Sequence, residues 1–194
     1  MPEHTELFFR VFKNEQILEV WIKKGDQFAL FQQYPICYFS GGLGPKRKEG
    51  DKQVPEGLYH IAVFNPESKF HLSLRINYPN ESDRMLSHPV KPGGDIYIHG
   101  DCVSTGCLAM TDDLMEEIYV LSLQSFQAGQ INIPVHIFPF RFSKKDISKK
   151  DISKRLYRHL PLWNSLLPVY RFFEEMKKIP LFTIDEKGMY QLQP

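Results

Sequence analysis

A cysteine and a histidine within one short segment are the residues of this chain best suited to covalent chemistry. Residues 96–113 read IYIHGDCVSTGCLAMTDD, so that His99 ends a strand-like run and Cys107 precedes a helix-like run. A thiol with an unperturbed pKa of about 8.5 needs a base or a positive field beside it to act as a nucleophile at neutral pH. An imidazole can accept the thiol proton during attack on a carbonyl and return a proton to the leaving amine. We therefore predict that Cys107 is the nucleophile and His99 the general base.

The residues immediately before Cys107 are small. Ser104, Thr105 and Gly106 allow neighbouring main-chain N–H groups to point toward one place. Such groups can stabilise the oxyanion that forms during attack on a carbonyl, which often supplies a large part of the rate gain. We predict that the oxyanion site consists of the main-chain groups of Thr105, Gly106 and Cys107.

Several motifs resemble those of one enzyme family, the YkuD-type L,D-transpeptidases. Ser104–Cys107 is similar to the family's S/T-H-G-C signature, and His99-Gly100 is similar to its upstream His-Gly. Pro55–Gly57 stands where the family has Thr-Pro-x-Gly, and Ser40-Gly41 where a strand of the family reaches the site. The segments SGGLGPK, EGD, PEG, FHLSLRINYPN and IHGDCVSTGC most resemble the YafK-like branch. The resemblance extends from about Leu7 to Phe142, and the combination of motifs is more specific than any one of them.

Two residues depart from the family pattern. Thr105 replaces the histidine before Gly-Cys, and Ala109 stands where many members have an arginine. The loop from His99 to Cys107 is also shorter than in the wider family. Without that arginine, another residue must hold the carboxylate of the donor peptide, and arginine or lysine suits this task. The candidates for contact with substrate are Arg75, Arg84 and Lys46, together with Ser40 and Ser104.

The resemblance implies an acyl transfer in the bacterial cell wall. A family member attacks the L,D-linked carbonyl of a diaminopimelate-containing stem peptide, forms a thioester and passes the acyl group to an amine. The resemblance therefore implies an L,D-transpeptidase that needs no cofactor, has peptidoglycan stem peptides as partners, and works in the periplasm or cell envelope. With water as acceptor the same site is a hydrolase, an L,D-carboxypeptidase or amidase. The YafK-like branch is associated with releasing a lipoprotein attached to peptidoglycan, which makes such a lipoprotein an alternative partner.

Two functions of other classes compete with catalysis. A metal-binding module could draw its ligands from His71, His99, Cys102 and Cys107, because zinc prefers nitrogen and sulfur ligands. The chain lacks a paired Cys-x-x-Cys motif, so we predict no metal site. A wall-binding domain that keeps the fold without turnover is the other competitor, because a fold does not guarantee activity.

The remaining cysteines have less informative surroundings. Three cysteines leave at least one thiol free or paired between molecules. Cys37, between Ile36 and Tyr38, is interpreted as a thiol of the core. Cys102 remains open: it could pair with Cys107 as a redox switch, or have a free or unrelated role.

Other polar residues near the two reactive ones could orient them. His71 is interpreted either as a wall of the cleft that orients substrate or His99, or as a hydrogen-bonded structural histidine. The ring of His99 could be oriented by Asp95, by Asp101, or equally well by a backbone carbonyl.

The elements that position these residues are mainly strands. Alternating apolar and polar residues with many β-branched and aromatic side chains predict strands at 6–12, 17–22, 28–31, 36–39, 58–64, 70–76, 96–98 and 131–142. Thr111 is predicted to cap a helix that begins with Asp112 and Asp113 and ends near Gly129. We expect a long loop over 77–94 and, over 157–178, a helix interrupted near Pro161 and Pro168. The fold class is therefore mainly β (α+β), and the resemblance implies the YkuD-type sandwich or barrel-like fold.

The chain divides at a charged repeat. KKDIS occurs twice, at 144–148 and 149–153, and is interpreted as a solvated linker or, alternatively, as a basic arm for an anionic polymer. We predict a catalytic domain over 1–142, a linker over 143–155, and a helical appendage with a short hairpin over 156–194.

Composition limits the remaining possibilities. The chain has 194 residues, of which 42% are hydrophobic, enough for one core. A net charge of +1 gives no overall attraction to nucleic acid, and no run approaches the roughly 20 apolar residues that cross a bilayer. The start MPEHTELFF resembles no export signal, so the periplasmic expectation depends on the family resemblance alone.

Overall fold

The computed structural model describes residues 5–142, 147–148, 150 and 152–193. Strands dominate these residues, and three α-helices and one 3₁₀-helix accompany them. In chain order the elements are β1 (Leu7–Phe12), β2 (Ile17–Lys24), β3 (Gln27–Pro35), β4 (Gly57–Ser68), β5 (His71–Ile76), α1 (Glu81–Leu86), β6 (Tyr97–His99), β7 (Leu108–Ala109), α2 (Asp112–Gln127), β8 (Pro134–Phe138), the 3₁₀-helix (Lys154–His159), α3 (Leu160–Met176), β9 (Phe182–Ile184) and β10 (Tyr190–Leu192).

Eight strands form a mixed sheet in the order β3-β2-β1-β8-β4-β5-β6-β7. The first part of β4 pairs with β8 and its later part pairs with β5, so that β4 connects the two halves of the sheet. The pairs β1–β8 and β6–β7 are parallel, and the other neighbours are antiparallel. This sheet-dominated α+β architecture confirms the predicted fold class.

Helix α2 covers the half of the sheet that carries the reactive residues. Its buried side chains Met115 and Ile118 belong to the same core cluster as Leu74 of β5, Ile98 of β6 and Leu108 of β7. Side chains alternate between the two faces of a strand, so residues adjacent to these three point to the opposite face. His99 is therefore held on a rigid, well-packed support.

Strand β1 is buried on both faces, because a second layer covers the side away from α2. Phe9 packs in the core cluster beneath α2, whereas its neighbour Phe8 contacts Phe173 of α3 edge to face at 4.8 Å. A strand covered on both sides favours apolar residues, which accounts for five of the six residues in LFFRVF. The sixth, Arg10, is buried and pairs with Glu19 and Glu174.

Helix α3 is continuous through Pro168, contrary to the predicted interruption there, whereas near Pro161 the 3₁₀-helix ends and α3 begins at Leu160. Pro161 lies at its N-terminal end, where a missing N–H is tolerated, but Pro168 lies inside the helix. Burial of Leu166, Leu167 and Val169 against the sheet offsets the lost hydrogen bond. Tertiary packing therefore keeps this helix continuous despite Pro168.

A fully buried ion pair connects α3 to the sheet. The ammonium of Lys13 lies 2.9 Å from Glu56 Oε1, and the Trp163 indole N–H donates to Glu56 Oε2 at 2.7 Å. Glu56 Oε1 also accepts from the Gly44 N–H, and Lys13 donates to the Gly44 carbonyl. Burial lowers the pKa of Lys13, and the nearby Glu56 carboxylate opposes that shift. The loop after β3 is thus fastened at the junction of sheet and helix.

The C-terminal strands β9 and β10 pair antiparallel and pack against the same junction. The Tyr190 hydroxyl accepts from the Leu58 N–H at 3.2 Å. Half of the KKDIS repeat lies outside the described residues, and the division at 143–155 remains a proposal. Among the helices of the described ranges, none has the length and apolar character needed to cross a bilayer.

Three local expectations were wrong. The segment 36–39 forms only a bridge, between Tyr38 and Ala109, rather than a strand. The loop over 77–94 contains α1, whose Asn80 and Asp83 form a reciprocal capping box. The Thr111 side chain makes no capping hydrogen bond, and at this end of α2 the Asp112 carboxylate accepts a hydrogen bond from the Asp101 N–H of the preceding loop.

Candidate active site

The outer face of β5, β6 and β7 brings the predicted reactive residues together. Ser73 is paired with His99, and His99 with Ala109. Two residues earlier on β6, Tyr97 is paired with Arg75. Continuing the β6–β7 register by one residue beyond the Ile98–Leu108 pair sets Cys107 beside Tyr97. Because paired residues point to the same face, these side chains share one surface.

Cys107 and His99 are diagonal neighbours on this surface. From the strand spacing and the rise per residue, diagonal Cα atoms on adjacent strands lie roughly 8 Å apart. At that separation an imidazole and a thiol can meet through side-chain rotation alone. In this structure the hydrogen bonds that described residues make with the thiol involve main-chain groups, and the ring of His99 is not among the partners.

The thiol of Cys107 lies between a main-chain donor and a main-chain acceptor. The Tyr97 N–H donates to Cys107 Sγ at 3.4 Å, and the thiol donates to the Asp95 carbonyl oxygen at 3.5 Å. Burial raises the pKa of Cys107, and the Asp95 carboxylate adds to this, whereas the Tyr97 N–H and the charge of Lys46 lower it. The net upward shift keeps the resting sulfur protonated at neutral pH.

The ring of His99 has a defined tautomer. Its Nδ1 lies 2.6 Å from the carbonyl oxygen of Gly100, and because a carbonyl only accepts, Nδ1 must carry the proton. In the neutral ring, Nε2 is then the acceptor. Burial lowers the pKa of His99, although the Gly100 carbonyl and the Asp101 charge oppose the shift. A backbone carbonyl thus orients the ring, one of the possibilities that the sequence left open.

Two serine hydroxyls shape the turn that carries Cys107. Ser104 Oγ accepts from the Cys107 N–H at 2.9 Å and donates to the Cys107 carbonyl at 2.8 Å. Ser40 Oγ accepts from the Gly106 N–H at 2.8 Å and donates to the Lys52 carbonyl at 2.8 Å. Both hydroxyl protons are used within the protein. Ser40 and Ser104 therefore hold the loop that carries Cys107, and their contact with substrate stays a prediction.

These bonds also restrict the expected oxyanion site. The N–H groups of Gly106 and Cys107 already have acceptors, whereas within the described ranges the Thr105 N–H has none. Gly106 has φ +95°, a left-handed conformation that favours glycine, and its Cα faces the Gln53 carbonyl closely. Of the three predicted donors, Thr105 is the one available to an oxyanion in this conformation.

A disulfide bond joins Cys37 to Cys102. Cys37 is therefore not a free core thiol, and Cys102 does not pair with Cys107, which is the free cysteine. The bond attaches the loop between His99 and Cys107 to the segment that bridges Ala109, where the Cys37 N–H donates to the Ala109 carbonyl at 2.9 Å. Sequence spacing could not reveal this pairing, because 65 positions separate the two cysteines.

The three basic candidates for substrate binding lie in different places. Arg75 shares the surface of Cys107, half-exposed, with its guanidinium 3.6 Å from the carboxylate of Asp95. Lys46 is buried, and its ammonium binds Asp51 at 2.8 Å, which braces the loop after β3, while its charge also lowers the pKa of Cys107. Arg84 is exposed in the last turn of α1. The side chains of this helix make polar contacts with Tyr59, with Arg47 and with the turn before β10. Arg75 alone among them faces the nucleophile's surface.

The other polar candidates tie the loop to α2. The His71 ring lies 2.8 Å from Glu116, and the Asp101 N–H donates to Asp112 at 2.7 Å. His71 is thus a hydrogen-bonded link between β5 and α2, and it does not orient His99. Among the described residues no group of three or more His, Cys, Asp and Glu side chains is arranged to hold a metal.

Comparison with known proteins supplies the family. Residues 8–137 match the family of the YkuD L,D-transpeptidase catalytic domain, which is more than half of the chain. The chain belongs to this family. Escherichia coli K12 and O157:H7 each have a relative named "Putative L,D-transpeptidase YafK", 34% identical over 182 residues that cover 93% of this chain and 71% of the relative.

Solved structures support the fold of this YkuD-family chain. The helical cell shape determining protein Pgp2 from Campylobacter jejuni has a TM-score of 0.56 at 21% identity, and Bd1075 from Bdellovibrio bacteriovorus 0.50 at 24%. The alignments cover 88% and 87% of this chain but only 57% and 62% of those proteins. At these identities the likeness concerns the fold alone.

Sequence reasoning missed two aromatic residues of the YkuD-type site. Tyr97 lies between Arg75 and Cys107 on the shared surface, and Tyr38 lies beside Ala109 and is 48% exposed. Tyr97 is partly exposed, and tyrosines at such positions offer flat apolar contact and a hydroxyl to a ligand. Tyr38 follows the buried Ile36 by two positions, and Tyr97 directly precedes the buried Ile98. This pattern beside the predicted site was the sequence signal that could have identified the two tyrosines.

Proposed function

We propose that the protein is a cysteine-dependent acyltransferase of the L,D-transpeptidase type, acting on peptidoglycan stem peptides through a thioester at Cys107. The observation that carries the proposal is the shared surface of Cys107 and His99, with Nδ1 of the histidine committed to a carbonyl and Nε2 left as acceptor. Family membership supplies the reaction class, and the periplasm or cell envelope is the corresponding place of action.

The reaction begins from a neutral pair. Because burial raises the pKa of Cys107 and lowers that of His99, the proton stays on sulfur until a carbonyl approaches. Sγ then attacks the carbonyl carbon while Nε2 of His99 takes the thiol proton. The Thr105 N–H is the donor placed to stabilise the oxyanion.

Collapse of the tetrahedral intermediate completes the first half of the reaction. The bond between the carbonyl carbon and the amine nitrogen breaks, the imidazolium gives its proton to the leaving amine, and the acyl group remains on Sγ as a thioester. In the second half, Nε2 accepts a proton from an incoming amine, which attacks the thioester and regenerates the thiol. Water in place of that amine gives hydrolysis by the same steps.

Arg75 is the residue we assign to the carboxylate of the donor peptide. It lies in the row of Tyr97 and Cys107, two strand spacings from the nucleophile, which is roughly 10 Å. Its present partner Asp95 is exposed, and exposed pairs are weak enough to be exchanged for a ligand carboxylate. This arginine takes the task of the one that Ala109 replaces.

The test compares the protein with its Cys107→Ala variant on two substrates. Each is incubated with purified muropeptides and with peptidoglycan carrying a covalently attached lipoprotein, and products are identified by mass. We expect new crosslinks from the unmodified protein and no change with Cys107→Ala. Shortened stems or released lipoprotein would identify water as the acceptor and make the protein a hydrolase. Unchanged substrates in both samples would contradict catalysis and favour a wall-binding role.

A further inference from the structure

A cavity separate from the cysteine lies where the loop after β3 meets the C-terminal segment. Its volume is about 560 Å³, and residues of that loop, of the segment after α1 and of the 3₁₀-helix line it. This volume is within the usual range for ligand pockets. Arg158 and His159 contribute to its wall from outside the family match, which ends at residue 137. The cavity is therefore formed jointly by the matched catalytic domain and by residues that follow it in the chain.

The charge of the lining is positive. Arg47, Lys48 and Arg158 are its cations, and Asp51 is the one acid among the described residues that line it. Both oxygens of Asp51 are occupied: Oδ1 accepts from the Lys46 ammonium and Oδ2 from the N–H groups of Arg47 and Lys48. The carboxylate is thus satisfied by its own loop, and the cations lining the cavity dominate the local field.

Among the described residues, two of the three cations have no ionic partner. Arg47 lies 3.1 Å from the Asp83 carboxylate, but within the described ranges neither Lys48 nor Arg158 has an acidic partner. The Arg158 Nε–H donates to His159 Nε2 at 3.2 Å, which leaves the remaining N–H groups of its guanidinium for a ligand. An uncompensated arginine and lysine beside a cavity match a ligand with acidic oxygens.

The charges of these cations also act on His159 in the wall of the cavity. Burial lowers the pKa of His159, and although Glu56 opposes the shift, the charges of Arg158, Arg47 and Lys13 lower it further. His159 also packs against Trp163 at 5.7 Å, so that the ring is fixed between the cations and the core. A neutral, fixed imidazole next to a cationic cluster adds a hydrogen-bonding group without adding repulsion for an anion.

The cavity and the nucleophile loop share a wall. Gln53 lines the cavity, and its carbonyl oxygen lies 3.4 Å from the position that a Cβ on Gly106 would occupy. Gly106 directly precedes Cys107, so a ligand in the cavity is separated from the nucleophile loop by one residue. We propose that this cavity binds a free carboxylate group of the acidic peptide whose carbonyl is attacked by Cys107. This inference rests on the proposed function and concerns how the substrate is selected.

Binding to a protein that cannot turn over tests the cavity. In the full chain carrying Cys107→Ala, calorimetry measures the dissociation constant of a disaccharide tetrapeptide and of the same compound with its carboxylates amidated. We expect Arg158→Glu to weaken binding of the first compound roughly tenfold, because a favourable charge contact becomes repulsive. Amidation should weaken binding to the parent by at least this factor, and should weaken binding to Arg158→Glu by a smaller factor, because the carboxylate contact assigned to Arg75 is still present in that variant.

The control is Arg155→Glu, which makes the same charge change on the same 3₁₀-helix at an exposed residue outside the cavity. Its affinity should equal that of the parent, and Lys48→Glu should behave like Arg158→Glu. Equal affinities for Arg158→Glu and Arg155→Glu, or no binding to the parent, would overturn the cavity's role.

A turnover assay of the corresponding variants with Cys107 intact separates the two proposals. Normal KM in Arg158→Glu together with product formation overturns the cavity and leaves the acyl transfer standing. Arg158-dependent binding without turnover in any variant retains the cavity and overturns the acyl transfer.

Discussion

Removal of the Cys37–Cys102 bond should both loosen the fold and misplace the nucleophile loop. The double variant Cys37→Ser/Cys102→Ser changes two small side chains, one half-buried and one exposed, so the substitutions themselves disturb little packing. The bond joins residues 65 positions apart. In the chain-entropy description, a crosslink over that span stabilises the folded state by roughly 4 kcal/mol, by restricting the unfolded chain.

The assay is denaturant unfolding of both proteins under non-reducing conditions, with a count of free thiols after denaturation. We expect one reactive thiol in the unmodified protein, a free energy of unfolding lower by about 3 to 4 kcal/mol in the double variant, and slower acyl transfer. The rate should fall because Cys102 lies between His99 and Cys107, whose separation the bond helps to fix. Three free thiols in the unmodified protein, or equal unfolding free energies, would refute this reasoning.

Three other perturbations test the surroundings of the site. Glu56→Gln leaves the buried Lys13 ammonium without its counter-charge and should lower the free energy of unfolding by about 3 kcal/mol; a loss below about 1 kcal/mol would contradict that assignment. Ser104→Ala removes two hydrogen bonds to the main chain of Cys107, so we expect destabilisation of about 1 to 2 kcal/mol and a lower kcat. An unchanged kcat would show that the turn keeps its conformation without these two hydrogen bonds. Because burial raises the pKa of Cys107, alkylation of this thiol by iodoacetamide should accelerate as the pH rises past 9, and a plateau reached by pH 7 would indicate a preformed thiolate.

The shared surface of His99 and Cys107 could be predicted from the sequence because its signals are local, while the catalytic roles of the two residues stay predictions. His99 and Cys107 stand at the ends of one short loop, and the strand before it and the helix after it have clear periodicity. The register of β6 with β7 then follows from burying Ile98 and Leu108 on the same side. Fold class and family were predictable for the same reason.

Features that depend on distant contacts were missed. The partner of Cys102 is set by the path of the segment after β3, which sequence spacing does not encode. Pro168 indicated a break in α3, yet the apolar face of the helix is buried on both sides of it, and packing prevails over local propensity. The internal hydrogen bonds of Ser40 were equally hidden, because Lys52 and Gly106 meet it only in the folded chain.

Detection of the acyl-enzyme tests the central claim most directly. The protein is mixed with a stem tetrapeptide, quenched in acid, digested and analysed by mass spectrometry, alongside the variants His99→Ala and Cys107→Ala. We predict that the peptide containing Cys107 gains the mass of the acyl group, that the adduct forms much more slowly in His99→Ala, and that it is absent from Cys107→Ala. Product formation by Cys107→Ala, or an equal rate of acylation in His99→Ala, would contradict the account.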